Sequence, residues 1–210
     1  MVIFLRTQNS QPKNNMKIQH AIAQITDPKL QKACEEINSY EEFQTWPASL
    51  GHHHAYKGGL LAHTEEVLSY CLHLTNVGVK EQINKDVLFV AALWHDLAKI
   101  WDYSYEEGCI PPERAGRRFL ADQEGMFIRG HWVLSSYQNE IHHINGSCAE
   151  FTAAALKQGV DRKTVQQVQH AILAHHGPNR DWGSPVKPIS VEALILHQAD
   201  NLSALCGRTS

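Results

Sequence analysis

Asp86-Val-Leu-Phe-Val-Ala-Ala-Leu-Trp-His-Asp-Leu-Ala-Lys-Ile100 is the stretch from which the rest of this chain is understood. It is apolar from Val87 to Trp94 and then places His95, Asp96 and Lys99 at its end. A helix that is apolar all round is buried. An imidazole beside a carboxylate in such surroundings must be paired or metal-bound, because an isolated buried charge is very costly. Successive helical positions are about 100° apart, so His95 and Asp96 can both reach one ion at the helix flank. For a His-Asp pair taken alone, the simpler reading is a satisfied hydrogen bond in a helical core. The other histidines of the chain turn the balance toward a metal.

The 210 residues, 43% apolar and 20% charged, fit one globular domain. A net charge of −3 argues against a protein that coats nucleic acid. Fourteen histidines are the compositional outlier, and histidine is the commonest metal ligand. The cysteines (Cys34, Cys71, Cys109, Cys148, Cys206) are scattered and never spaced C-x-x-C, which excludes a zinc ribbon and suits a reducing compartment. Met1-Val-Ile-Phe-Leu-Arg6 is too short for a signal-peptide core, and no apolar run approaches a membrane span. A cytoplasmic protein with no membrane partner is expected.

Residues 1–16 end in a polar run and are expected to form a flexible lead-in, with a single domain over 17–210. Ile18, Ile22, Ile25, Leu30, Ala33 and Ile37 predict one or two amphipathic helices broken at Asp27-Pro28. Gly58-Gly59 opens a helix from Leu60 to about Leu74, with His63 beside its apolar face. Before it lies a loop carrying His52-His53-His54. Ile100 to Gly108 alternates like a strand, with Met126-Phe-Ile-Arg-Gly130 as its partner, so a small β-hairpin insertion is expected around residues 100–130. Between the two lies the densest basic cluster, with Arg114, Arg117 and Arg118. Gly130-His131 is expected to lead into a further helix, followed by a short one from about Cys148 to Gln158. Asp161 caps a helix running through His176 and stopped by Gly177-Pro178. His175 and His176 fall to either side of its apolar stripe, and periodicity does not choose between them. Ser190 caps the last helix, where Asp200 shares a face with Leu196 and His197 and turns inward. The fold class is mainly α.

His63, His95-Asp96, His131, His175-His176 and Asp200 thus come from separate elements, each near an apolar face, as the inward ligands of a helical-bundle metal site do. Imidazole plus carboxylate without thiolate suits Mn²⁺, Fe²⁺, Co²⁺ or Ni²⁺ as well as Zn²⁺.

In this order the residues resemble the HD superfamily of metal-dependent phosphohydrolases, with Leu93-Trp-His-Asp-Leu-Ala-Lys99 at the signature. Ala98 departs from that pattern, which usually has Gly there. Two blocks, His52-His-His-Ala-Tyr-Lys-Gly-Gly-Leu-Leu-Ala-His63 and Ala174-His-His-Gly177 through Glu192-Ala-Leu-Ile-Leu-His-Gln-Ala-Asp-Asn201, resemble the HD domain of YhaM-type 3′-to-5′ exoribonucleases. The first also resembles an HD-type domain of conjugative relaxases. The exoribonuclease family carries an additional OB-type domain, for which these 210 residues are not expected to have room.

The resemblance implies an HD helical bundle with one or two divalent ions, Mn, Fe, Co or Ni ahead of Zn or Mg. Asp96 would bridge the ions. His63, His95 and Asp200 would complete one, and His131 with His175, in preference to His176, the other. Such ion pairs activate water and stabilise in-line displacement at phosphorus. Lys99 would neutralise phosphoryl charge, and His53, His54, Arg114, Arg117 and Arg118 would contact substrate. The implied reaction is phosphodiester or phosphomonoester hydrolysis of nucleotides or short oligonucleotides, compatible with a homo-oligomer. A di-iron HD-type oxygenase and a non-catalytic nucleotide-binding HD module are the alternatives.

Overall fold

The computed structural model describes residues 17–76, 82–110, 121–124, 127–178 and 183–207, with backbone alone for 108–110, 121–124 and 127–131. The expected lead-in at 1–16 and the arginines Arg114, Arg117 and Arg118 lie outside the described residues.

Two short helices, α1 (Ile18–Gln24) and α2 (Pro28–Glu35), meet at the expected break. Asp27 caps α2 by accepting from the backbone N–H groups of Lys29 and Leu30, and Pro28 occupies the first turn, where its missing N–H costs nothing. A 3₁₀ turn (Glu36–Ser39) and α3 (Glu41–Thr45) lead to α4 (Gly59–Thr75), the longest helix. Helix α5 (Lys85–Trp94) is buried at every position from Val87 to Trp94, as an all-apolar helix must be. Its first turn anchors the α1–α2 corner: the Asp86 carboxylate accepts from the backbone N–H groups of Thr26 and Asp27 and from the Thr26 hydroxyl.

His95–Ala98 is a turn, not a continuation of α5, and it delivers the chain to the short helix α6 (Lys99–Asp102). From there β1 (Tyr103–Ile110), β2 (Ala121–Glu124) and β3 (Phe127–Leu134) form an antiparallel sheet with β3 in the centre. The expected hairpin is therefore present with a third strand added, and β3 runs on through Trp132 and Leu134. Pairing of Tyr103 with Leu134 and of Glu106 with His131 keeps this segment extended where a helix was expected. Trp132 is buried between Trp46 and Tyr105, a packing that alternation in a strand provides and a helix start would not.

The helical part resumes with α7 (Ser136–Glu140), α8 (His143–Lys157), α9 (Arg162–Ala174) and α10 (Val191–Cys206). Asp161 and Ser190 cap the last two, as their sequence positions predict. Leu60, Leu68, Trp94, Phe89, Phe151, Ile172 and Leu196 meet in one core in which α5 is central. No described helix is long and apolar enough to cross a membrane.

Candidate metal centre

Asp96 sits in the turn after α5, 1% exposed, and its two oxygens face different groups of histidines. On one side, Oδ2 lies 3.3 Å from His63 Nε2 and 3.5 Å from His95 Nε2, and His63 Nε2 is 3.1 Å from Asp200 Oδ1. On the other, Oδ1 lies 3.4 Å from His143 Nε2 and 3.5 Å from His175 Nε2, with His176 completing the group. Helices α4, α8 and α10, with the turns after α5 and α9, thus converge on one carboxylate.

The orientation of each ring is fixed from behind. His95 Nδ1 donates to the Ala92 carbonyl at 2.8 Å and His175 Nδ1 to the Ile172 carbonyl at 2.7 Å. A carbonyl only accepts, so the proton sits on Nδ1 in both and Nε2 is left to face Asp96. His143 Nδ1 reaches Asp102 Oδ2 at 2.7 Å, and His63 Nδ1 the Ser203 hydroxyl at 2.9 Å. An imidazole held by its far nitrogen while the near one points at a shared site is how proteins orient metal ligands. The His175–Gly177 turn is itself pinned, because His197 Nδ1 donates to the His175 carbonyl at 2.9 Å. Gly177 has φ +84 with the His197 ring against it, where a Cβ would meet the imidazole at 2.2 Å. Only glycine fits both the conformation and the space.

These residues fit a divalent ion. Among the described residues, Asp96 Oδ1, His143 Nε2 and His175 Nε2 are buried and have no hydrogen-bond partner, although they face one another. Buried polar atoms are rarely left so. Bonds of about 2.1 Å put neighbouring ligand atoms about 3.0–3.4 Å apart, from octahedral to tetrahedral angles. The 3.1–3.5 Å separations between the facing atoms match that spacing.

The electrostatics agree. Burial alone would raise the Asp96 carboxyl, but Lys99 and the histidines around it hold it well below the usual carboxylate range. Asp200 is likewise depressed: burial opposes this, and the hydrogen bond from His63 wins. Burial lowers His95 and His143, and it takes His176 down to about 3 with His175 adding to it. These rings are neutral lone-pair donors at physiological pH. His63 is the exception: burial lowers it, but Asp200 and Asp96 together raise it above its usual value. Asp102 is pushed up to about 7, by burial first, with Lys99 opposing and Asp96 adding.

Lys99 Nζ is 2.6 Å from Asp96 Oδ2 and the residue is 6% exposed. Burial would lower its pKa, but Asp96 holds it above the usual range, so the cation persists.

The structure brings His63, His95, Asp96, His175, His176 and Asp200 together. His131 falls on β3, its side chain outside the described residues, and the second group is completed by His143. The signal for His143 was present: it lies one turn before Ser147 and two before Phe151, both fully buried. His53 is half-buried, with its ring centroid 4.8 Å from that of His63. His54, expected on the substrate face, is 2% exposed and lies behind the site, with Nε2 3.1 Å from Glu66 Oε2.

The HD domain family model matches residues 60–205, the span that carries the candidate ligands from His63 to Asp200. The chain belongs to the HD-domain family. A second model, described as a putative helicase, matches residues 16–86. This HD domain is 29% identical over 197 residues to the 3′-5′ exoribonuclease YhaM of Bacillus pumilus. It is 29% identical over 200 residues to the YhaM of Bacillus subtilis. In each case 92% of this chain is covered and 54% of the relative, so the chain spans about half the length of these proteins. No solved structure matches it significantly.

Proposed function

We propose that this HD domain hydrolyses phosphodiester bonds in nucleotides or short oligonucleotides at a two-ion centre bridged by Asp96. The observation that carries the reading is the Asp96 carboxylate, which turns one oxygen to His63, His95 and Asp200 and the other to His143, His175 and His176. Divalent ions held there would supply Lewis acidity and an acidified water at neutral pH. The protein's own groups do the rest. Neutral imidazoles present lone pairs, Asp96 and Asp200 stay ionised, and the surrounding core excludes bulk water, which strengthens each interaction. Lys99 keeps its charge beside Asp96, where it would stabilise negative charge growing on phosphoryl oxygens. His53 is the half-buried ring at the edge of the His63 group and would contact substrate.

The 3′-5′ exoribonuclease relatives support a phosphodiester in a nucleotide chain as the bond cleaved. Strand length follows from charge. Affinity for a long polyanion grows with the number of phosphates neutralised, and so does its salt dependence. A chain of net charge −3 with one short basic cluster at Arg114, Arg117 and Arg118 neutralises few. The test is a length series, from dinucleotide to long RNA, assayed with Mn²⁺ at two salt concentrations. Dinucleotides and very short strands should turn over at least as fast per molecule as long RNA, with a shallow salt slope. No hydrolysis of any phosphodiester with Mn²⁺, Co²⁺, Fe²⁺ or Ni²⁺ would overturn the reading; a steep preference for long strands would overturn the substrate size.

A further inference from the structure

Behind His63 lies a chain of hydrogen bonds that belongs to neither ligand group. Ser203, fully buried on α10, donates its hydroxyl proton to Glu66 Oε2 at 2.9 Å. A serine has one proton to give. With that proton committed to Glu66, the contact of Ser203 Oγ with His63 Nδ1 at 2.9 Å is one that His63 must donate. The Nδ1–H tautomer of the neutral ring follows, and Nε2 is left as the lone pair facing Asp96 and Asp200. The same carboxylate is met from its other side by His54 Nε2 at 3.1 Å, and His54 Nδ1 is 3.3 Å from His53 Nδ1.

The surroundings are built to keep this arrangement. Glu66 and His63 both lie on α4, while Ser203 reaches them from α10, so the two helices must stay in register for the chain to close. His54 adopts φ 45, a left-handed conformation uncommon for a residue with a side chain. Its backbone N–H donates to the Gly207 carbonyl at 3.1 Å. Its ring occupies the space beside Gly207, where a Cβ would approach the imidazole to 2.2 Å. A strained residue held from several sides is retained where its placement matters.

We propose that Glu66, acting through Ser203, is a positioning residue for the metal centre, setting the tautomer and aim of His63 and, through His54, the placement of His53. This rests on the reading of His63 as a metal ligand. Partners of this kind change metal affinity about 10–100-fold when removed.

The test is titration of the metal-free protein with Mn²⁺, followed by the electron paramagnetic resonance signal of free Mn²⁺. Ser203→Ala and Glu66→Ala should each weaken one of the two ions about 10–100-fold and leave the other unchanged. Glu66→Gln keeps an acceptor oxygen for Ser203 and should fall between wild type and Glu66→Ala. The Ser203→Ala/Glu66→Ala double variant should be no worse than the weaker single variant, because both break one chain. Melting of the metal-free variants separates positioning from support. Loss of both ions in proportion to lost melting temperature would mean a merely structural role and overturn the inference. Unchanged affinity in Ser203→Ala overturns it as well, while wild-type protein that binds no Mn²⁺ overturns the metal reading beneath it.

Discussion

Asp96, Lys99 and His143 carry distinguishable consequences at the scale of single residues. Lys99 donates to Asp96 but is not among the atoms that fit an ion, so Lys99→Met should keep metal and lose turnover. The loss of one preorganised charge at a developing oxyanion is about 10²–10³-fold in kcat. Metal content and kcat measured on the same preparation check this; lost metal with unchanged turnover per bound ion would make Lys99 structural. His143→Ala should lose the ion of its group, while His131→Ala keeps both, measured by metal content after reconstitution. The reverse result would return the second ligand to His131. That pair also shows where the sequence was legible. His63, His95, Asp96 and Asp200 sit on or beside apolar faces whose period locates them. His131 was taken from the order of histidines in a resembling family, and order does not report which strand or helix a residue occupies. His143 was hidden because it was expected at the tail of the helix led by His131, with the next helix beginning only near Cys148.

The turn after α5 is held to α8 by contacts that make the centre sensitive to helix spacing. Ala98 donates its backbone N–H to the Ser147 hydroxyl at 3.0 Å. A Cβ at Gly146 would approach the Ala98 methyl to 2.8 Å and the Tyr137 hydroxyl to 2.0 Å. The alanine that departs from the usual family pattern is therefore accommodated by a glycine across the interface. Gly146→Ala should push α8, and His143 with it, away from Asp96. We expect a loss of about 1–3 kcal/mol, the range for overpacking a close contact, together with weaker binding at the His143 group. Thermal melting and Mn²⁺ titration measure the two effects; a variant as stable as wild type with unchanged affinity would contradict this interface. The helices themselves were legible, because Asp161 and Ser190 announce their caps and the apolar period sets their faces. Strand β3 was less so. Trp132, Val133 and Leu134 are consecutive large residues whose alternation is visible only once Trp132 packs against Trp46 and Tyr105.

Across the whole molecule, the buried histidines tie stability to pH. Burial lowers His53 to about 2 and His176 to about 3, and it also lowers His95 and His143. In the unfolded chain these rings titrate near about 6.5. Below that value the unfolded state binds more protons, so stability rises with pH across the window from about 3 to about 6.5. His63, raised in the folded state, and Asp102, pushed up to about 7, work the other way, but they are two groups against four. The metal-free protein should therefore melt at a lower temperature at pH 5 than at pH 7. A melting temperature that is flat or rises on acidification would show these rings to be solvated. Adding Mn²⁺ at pH 7 should raise the melting temperature, and a chelator should return it, as any ligand specific to the folded state does.

The central claim is that one carboxylate joins two ions, and the electron paramagnetic resonance spectrum of the Mn²⁺-saturated protein tests it most directly. Two ions bridged by Asp96 predict an exchange-coupled pair in the wild type, and its loss in Asp96→Asn. A spectrum of isolated Mn²⁺ ions at saturation, unchanged by that substitution, would contradict the bridged centre.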